Sequence, residues 1–271
     1  MQHYFGIFED IHKLYEDKIQ NIGMYDSWFA HFYNTFPLPP EEQEIYITKC
    51  LQYGKEILEL CCGNGRLTIP LAQNGFKVDG IDLSKDMLSL LDKKVEELPK
   101  SIQKRIQTTY GDVFNLKLNK KYDVILLPAT TICILADDVE NLIKLLNLIE
   151  EHLKNGGCFI FDYRSLAEGQ EMSEIMSLCE KSENYTALTL MQDFKNFSPG
   201  RIIGNFYTQI EHADGRFERV MTYTDKKNIT DSFVNDLFSH SNLGIAEREK
   251  IPIGHDEWIF TIAKRKSECY E

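Results

Sequence analysis

The stretch Ile57-Leu58-Glu59-Leu60-Cys61-Cys62-Gly63-Asn64-Gly65-Arg66-Leu67 decides the fold. A short apolar run, 56–60, has strand character and enters a turn holding two glycines. It leaves that turn into a segment whose Leu67, Ile69 and Leu71 have helical spacing, with Gly75 at the C′ position. Glycine in such a turn permits φ > 0 and lets the backbone come close to a ligand. Outward from there, 77–81 reads as a second strand ending in Gly80-Ile81-Asp82. An acid at that tip, about 20 residues beyond the glycines, can accept both hydrogen bonds of a ribose diol.

The same rhythm continues. Residues 85–98 read as a helix with Ser84 as N-cap, 106–110 as a third strand, and 123–127 as a fourth, apolar in the way of strands buried on both faces. A strongly apolar helix over 139–153 ends at Asn155-Gly156-Gly157, and 158–162 forms a fifth strand. Strands alternating with helices imply right-handed crossovers and a parallel sheet covered on both faces, with ligands beyond the carboxyl ends of the strands. Before this core, 1–36 has helical spacing at Ile11, Leu14, Tyr15 and Ile19, and 41–53 reads as a further helix after Pro37, Pro39 and Pro40.

After Ser165 the pattern changes. A helical stretch through Glu180 is expected, then an antiparallel meander over 185–194, 201–212 and 216–224, a helix over 230–240 capped by Thr230 or Asp231, and closing strands at 245–251 and 258–264. The expected architecture is α/β: a Rossmann-like, seven-stranded, mainly parallel sheet with helices on both faces. Its domains are an N-terminal helical lid (1–53), a core (54–165 and 230–265), and an inserted helix and antiparallel lobe (166–229) over the active site.

Composition narrows the function. Thirty basic against forty-two acidic residues give a net charge of -12, which offers no footprint for a phosphate backbone and suits a cationic ligand. The longest apolar candidate, 124–136, is too short for a membrane span and contains Pro128, Thr130 and Thr131. The N-terminal residues Glu9, Asp10, Glu16 and Asp17 do not fit a signal peptide. Seven cysteines without a C-x-x-C pair indicate neither a zinc site nor a disulfide framework, so no metal and a reducing, cytoplasmic setting are expected.

A dinucleotide loop would carry glycine where Thr68 stands, and a P-loop would continue Gly-Lys-Ser/Thr. The glycine stretch instead resembles motif I of the class I S-adenosylmethionine-dependent methyltransferases, acid-x-Gly-x-Gly-x-Gly, through Glu59, Gly63 and Gly65, with Cys61 in place of the first glycine. Asp82-Leu83-Ser84-Lys85-Asp86-Met87-Leu88 resembles the second motif, Gly111-Asp112-Val113 the third and 122–127 the fourth. The resemblance covers about residues 54–164, with a weaker echo at 230–264.

It implies S-adenosylmethionine as cofactor. Glu59 and Gly63 would approach its methionine part, near Cys61 and Gly65, and Arg66 would pair with its carboxylate. Asp82 would hold the ribose, Leu83 and Met87 would pack near the adenine, Asp112 would accept from the adenine amino group, and the Val113 amide would donate to the ring. The backbone of Leu127 would face the cofactor ammonium.

The acceptor is read from strand tips and loops. The segment Leu127-Pro128-Ala129-Thr130-Thr131 lacks the Asn/Asp-Pro-Pro-aromatic pattern of enzymes acting on base and glutamine nitrogens, and no acid cluster suggests the metal-dependent catechol class. The fifth strand ends Phe161-Asp162-Tyr163-Arg164. Asp162 is therefore expected to bind or deprotonate an amine, with Arg164 beside it. Gly23-Met24-Tyr25-Asp26 and Tyr33 resemble the segment with which several small-molecule N-methyltransferases close over the sulfonium, making Tyr25 a catalytic candidate and Tyr33 a substrate contact. His255 is a candidate base at the acceptor, and His152 is expected to be structural. The arrangement resembles amine-methylating enzymes of natural-product pathways, amino-sugar N,N-dimethyltransferases and peptide α-amino methyltransferases of the plantazolicin type among them. A small-molecule or peptide amine is the expected substrate, with an N-terminal arginine as its most specific form. O-methylation using His255, and a silent cofactor-binding module, are the alternatives.

Overall fold

A computed structural model describes residues 3–35, 40–164, 169–253 and 256–268. Its elements begin with α1 (Ile7–Leu14), β1 (Gln20–Asn21), α2 (Ser27–Thr35), α3 (Glu41–Cys50), β2 (Glu56–Leu60), α4 (Thr68–Gln73), β3 (Lys77–Asp82) and α5 (Lys85–Glu96). Then come α6 (Lys100–Gln103), β4 (Ile106–Tyr110), β5 (Tyr122–Leu127), α7 (Thr131–Leu135), α8 (Val139–His152), β6 (Leu153–Tyr163), β7 (Glu171–Met172) and β8 (Met176–Lys181). The chain ends with β9 (Tyr185–Lys195), β10 (Arg201–His212), β11 (Phe217–Lys227), α9 (Asp231–Ser239), β12 (Leu243–Ile253) and β13 (Asp256–Arg265).

These elements form two units, Asn34–Ser165 with Ile229–Glu271, and Met1–Tyr33 with Leu166–Asn228. In the first, the sheet order is β12-β13-β6-β5-β2-β3-β4. The five strands β6 to β4 are parallel, and β13 and β12 close one edge antiparallel. The seven-stranded, mainly parallel α/β sheet expected from the sequence is thus present. Its order reverses between β2 and β5, the point at which such sheets hold ligands.

Strand alternation decides which side chains meet which helices. Leu58, Leu60, Ile125, Leu127, Phe159, Phe161 and Tyr163 pack with α8 and α9 through Leu142, Leu146, Val234 and Phe238. Ile57, Val124, Leu126, Cys158 and Ile160 face the other way, onto Tyr46 and Cys50 of α3 and Leu71 of α4. Helix α3 therefore belongs to the sheet unit, and the break falls after Tyr33 instead of after Tyr53. Local capping follows the sequence: Ser84 accepts from Met87 N, and Thr230 from Phe233 N. The two ring nitrogens of His152 lie against the carbonyls of Leu148 and Leu118, a structural role.

The second unit carries a six-stranded sheet, β1-β11-β10-β9-β7, with β8 also on β9. The expected meander β9-β10-β11 is there, in antiparallel register throughout. The helix expected up to Glu180 is not: the described part of that stretch forms β7 and β8, both antiparallel to β9. Met172, Met176 and Cys179 are exposed, so their near-helical spacing marks no buried face, and pairing with β9 overrides it. Phe5, Phe8, Phe194, Ile203 and Met221 form this unit's core. Buried Asn205 ties the N-terminal segment down, accepting from Phe5 N and donating to the His3 carbonyl. Among the described residues no helix is long and apolar enough to cross a membrane.

Candidate active site

The site is built on the turn that follows β2. Cys61 has φ +57°, Gly63 +54° and Gly65 +79°, so the chain turns through the left-handed region three times within five residues. A Cβ on Gly65 would lie 2.1 Å from Leu91 Cδ1, so any other residue would have to displace that buried side chain while holding a left-handed φ. Cys61, at the position of the resemblance's first glycine, keeps the conformation glycine would adopt, at a cost of about 1–2 kcal/mol.

Three side chains fix this loop. The Gly63 amide donates to Asp82 Oδ2 at 2.7 Å, Lys94 Nζ donates to the Asn64 carbonyl at 3.0 Å, and Asn64 Nδ2 donates to Asn34 Oδ1 at 3.0 Å. Asp82 Oδ1 accepts from Ser84 N at 2.8 Å. Both oxygens of Asp82 are thus held by the backbone, and a carboxylate's four lone pairs leave capacity for a ribose hydroxyl. Burial raises the Asp82 carboxyl above its usual value, although the amides of Ser84, Gly63 and Leu83 oppose it.

Around this edge Leu83 is 62% exposed, an apolar surface available to a base, whereas Met87, Val113 and Leu127 are buried. Asp112 accepts from Phe114 N and Asn115 Nδ2, which orients it at the end of β4. Glu59 lies buried on the α3 face and accepts from Thr68 Oγ1 at 2.6 Å. Burial pushes its carboxyl up to about 8.

Arg66 does not hold its guanidinium open. Both of its Nη atoms reach the carboxylate of Glu42 on α3, so the two-point match expected for a ligand carboxylate is made by the protein itself. Asp162 likewise has no accessible surface: Oδ1 accepts from Tyr46 OH, and Oδ2 from Thr130 N at 2.8 Å. Expected to meet an amine directly, it is instead closed off by α3 and by the turn after β5. That turn holds two successive non-glycine residues in the left-handed region, Ala129 at φ +63° and Thr130 at +55°. Glu42, Tyr46, Thr130, Asn34 and Lys94 are participants that sequence reasoning missed. None lies in a motif, and each reaches its partner only through tertiary packing.

Glu59 is acted on by Glu42, Asp82 and Arg66, and Asp162 by Glu42 and Arg66. Burial raises both carboxyls and Glu42 is paired with Arg66, which leaves Asp82, of the described residues, as the carboxylate beside the loop that is neither closed off nor matched by a cation. Among the described residues no group of three or more His, Cys, Asp or Glu is arranged to hold a metal ion. Arg164 lies over the Trp258 ring at 5.7 Å. Tyr25 and Tyr33 form an edge-to-face pair at 5.9 Å. His255 lies outside the described residues.

Comparison with known proteins agrees with this geometry. Residues 57–157 match the family model described as a methyltransferase domain. The chain is 32% identical over 117 residues to the cypemycin N-terminal methyltransferase of Streptomyces sp, covering 43% of this chain and 45% of that protein. It spans about half the length of the curated relatives it matches. Among solved structures, the CcbJ methyltransferase of Streptomyces caelestis superposes with TM-score 0.67 at 18% identity, covering 90% of this chain and 98% of that one. The glycopeptide N-methyltransferase MtfA complexed with S-adenosyl-L-methionine gives TM-score 0.63 at 18% identity over 96% and 98%.

Proposed function

We infer that this chain is a class I S-adenosylmethionine-dependent methyltransferase that methylates an amine nitrogen of a small molecule or peptide natural product, a reading supported by its methyltransferase-domain match over residues 57–157. The observation that carries the reading is the left-handed glycine loop tied to Asp82 at the switch point of the sheet, and the chain's acidic balance supports a cationic acceptor. A relative named for methylating a peptide N-terminus supports it. With the chain's net charge of -12, an N-terminal arginine is the most specific acceptor in view.

The bound cofactor supplies a methyl group on a positively charged sulfur, open to in-line attack. The residues of the chain bind and align. Asp82 would hold the ribose with the lone pairs its backbone contacts leave over, while Leu83 and Met87 would flank the adenine, and Asp112 and the Val113 amide would read its edge. Gly63, Gly65 and Cys61 would give the methionine end a bare backbone, with Glu59 and the end of β5 at Leu127 nearby. Tyr25, Tyr33 and Arg164 are the proposed acceptor contacts.

An α-amino group, with pKa about 7.7–8, is already partly neutral at pH 7. It needs little help from a base, which agrees with the closed state of Asp162. Alignment alone can contribute on the order of 7–11 kcal/mol.

Mass spectrometry of a peptide beginning with arginine, and of its N-acetylated twin, tests the reading after incubation with cofactor. One or two methyl groups are expected on the free amine and none on the blocked one. Equal labelling of both peptides refutes the α-amine, and transfer only to hydroxyl compounds across an amine and alcohol panel refutes nitrogen as the acceptor.

A further inference from the structure

Asp162 and Tyr46 are buried polar residues for which the methyl-transfer reading has no direct use. Asp162 sits at the tip of β6 on the face turned to α3, paired through the backbone with Phe260 of β13. Its two oxygens are shared between two elements: Tyr46 OH from α3, and the Thr130 amide from the turn after β5. That turn is strained. Ala129 and Thr130 are both left-handed without being glycine, and the contacts within the turn include the Thr131 amide and hydroxyl on the Pro128 carbonyl and the Cys133 amide on the Thr130 carbonyl. It stands at the carboxyl end of β5, the immediate neighbour of β2 and its glycine loop, and hence at the switch point of the sheet.

We propose that Asp162 is a positioning residue, whose carboxylate, backed by Tyr46, pins the left-handed turn Ala129–Thr130 and so shapes the acceptor side of the cleft. The proposal deepens the methyl-transfer reading and rests on it only for the consequence in catalysis.

The pin works in the ionised form. A carboxylate can accept from both partners, and a charged acceptor bonds an amide more strongly than a neutral one. Once protonated, the group can donate from Oδ1 to Tyr46 OH, which rotates to receive it, and it holds Thr130 N–H at Oδ2 only as a neutral acceptor, and so more weakly. The groups acting on Asp162 are Glu42 and Tyr46 from α3 and Arg66 from the glycine loop, whereas β13 offers Phe260 and β5 offers Leu126. Burial and Glu42 raise its carboxyl, while Tyr46, the Thr130 amide and Arg66 lower it, and the outcome is about 7. The turn should therefore loosen as pH falls through neutrality.

Hydrogen exchange at the Thr130 amide, measured on the full chain without added cofactor and corrected for intrinsic rate, reads the pin directly. Protection should rise about tenfold or more between pH 6 and pH 8, and Asp162→Asn should exchange about 10- to 100-fold faster at pH 8. Tyr46→Phe removes a bond to the carboxylate, so the midpoint should move up. Glu42→Gln removes a negative neighbour and frees Arg66, so the midpoint should move down. The acidic limb of kcat, at saturating cofactor and with the same acceptor, should follow these opposite shifts.

A purely structural contact would change protection without moving its midpoint in opposite directions. Unaltered Thr130 protection in Asp162→Asn, or midpoints that stay put in Tyr46→Phe and Glu42→Gln, overturns the proposal. Should Asp162→Asn fail to fold, the other two variants decide. If exchange behaves as expected and no amine is methylated, the pin stands and the acceptor reading falls.

Discussion

Replacing Asp82 with Asn removes a negative charge and one of the two acceptor oxygens while keeping the shape of the side chain. In the structure those oxygens accept from Gly63 N at 2.7 Å and Ser84 N at 2.8 Å. Asparagine can satisfy only one of these donors, because its NH2 would face the other N–H head-on. The variant should thus lose one charge-assisted bond to the loop, in the free and the bound protein alike, and one to the ribose, which alone enters the Kd and is worth about 1.5–3 kcal/mol. At about 1.4 kcal/mol per tenfold this is on the order of a 10- to 100-fold rise in Kd. Calorimetry with S-adenosylhomocysteine, which avoids turnover, measures it, and circular dichroism checks that the variant is folded. Since burial holds the Asp82 carboxyl above its usual value, wild-type affinity should weaken on acidification sooner than for an open aspartate, a dependence the variant should lack. A folded Asp82→Asn protein binding within threefold of wild type would refute the ribose assignment and, with it, the account of the glycine loop.

Cys61→Gly relieves a left-handed non-glycine residue at about 1–2 kcal/mol and loses about 0.4–1 kcal/mol through the freer unfolded chain. A net gain of about 0.5–1 kcal/mol in urea unfolding is expected, with cofactor binding retained. Lys94→Met deletes the bond to the Asn64 carbonyl. Its Kd for S-adenosylhomocysteine should rise about 3- to 10-fold, and an unchanged Kd would show that the loop holds without it. Glu59 is raised by burial from 4.5 to about 8, so the folded state binds its proton more tightly than the unfolded state does. Its contribution to stability is complete below about pH 4.5 and is lost as pH rises towards 8. Glu59→Gln, which can still accept from Thr68, should flatten that decline in urea midpoints between about pH 5 and pH 8.

The glycine loop, Asp82 and the parallel strands were legible because each is a local event. Gly63, Gly65 and Asp82 sit on the tips of adjacent strands within one β–α–β stretch, and burial on both faces writes itself into continuous apolar runs such as β5. The region 171–181 was misread for the opposite reason. Its residues are largely exposed on both faces, so no face records the strand, and only pairing with β9 makes it one. The partners of Arg66 and Asp162 were also out of reach. Glu42 lies 24 residues from Arg66, and Tyr46 lies 116 residues from Asp162, with no motif joining them.

From the chain alone came the sheet and the edge where an adenosine would rest, since backbone conformation and strand periodicity are set by neighbours in sequence. Whether a given acid faces a ligand or a tyrosine is settled by which helix covers its side of the sheet. The packing of α3 turned Arg66 and Asp162 from groups available to a substrate into buried, mutually satisfied ones, because a charge taken from water must find its partner in whatever element lies against it.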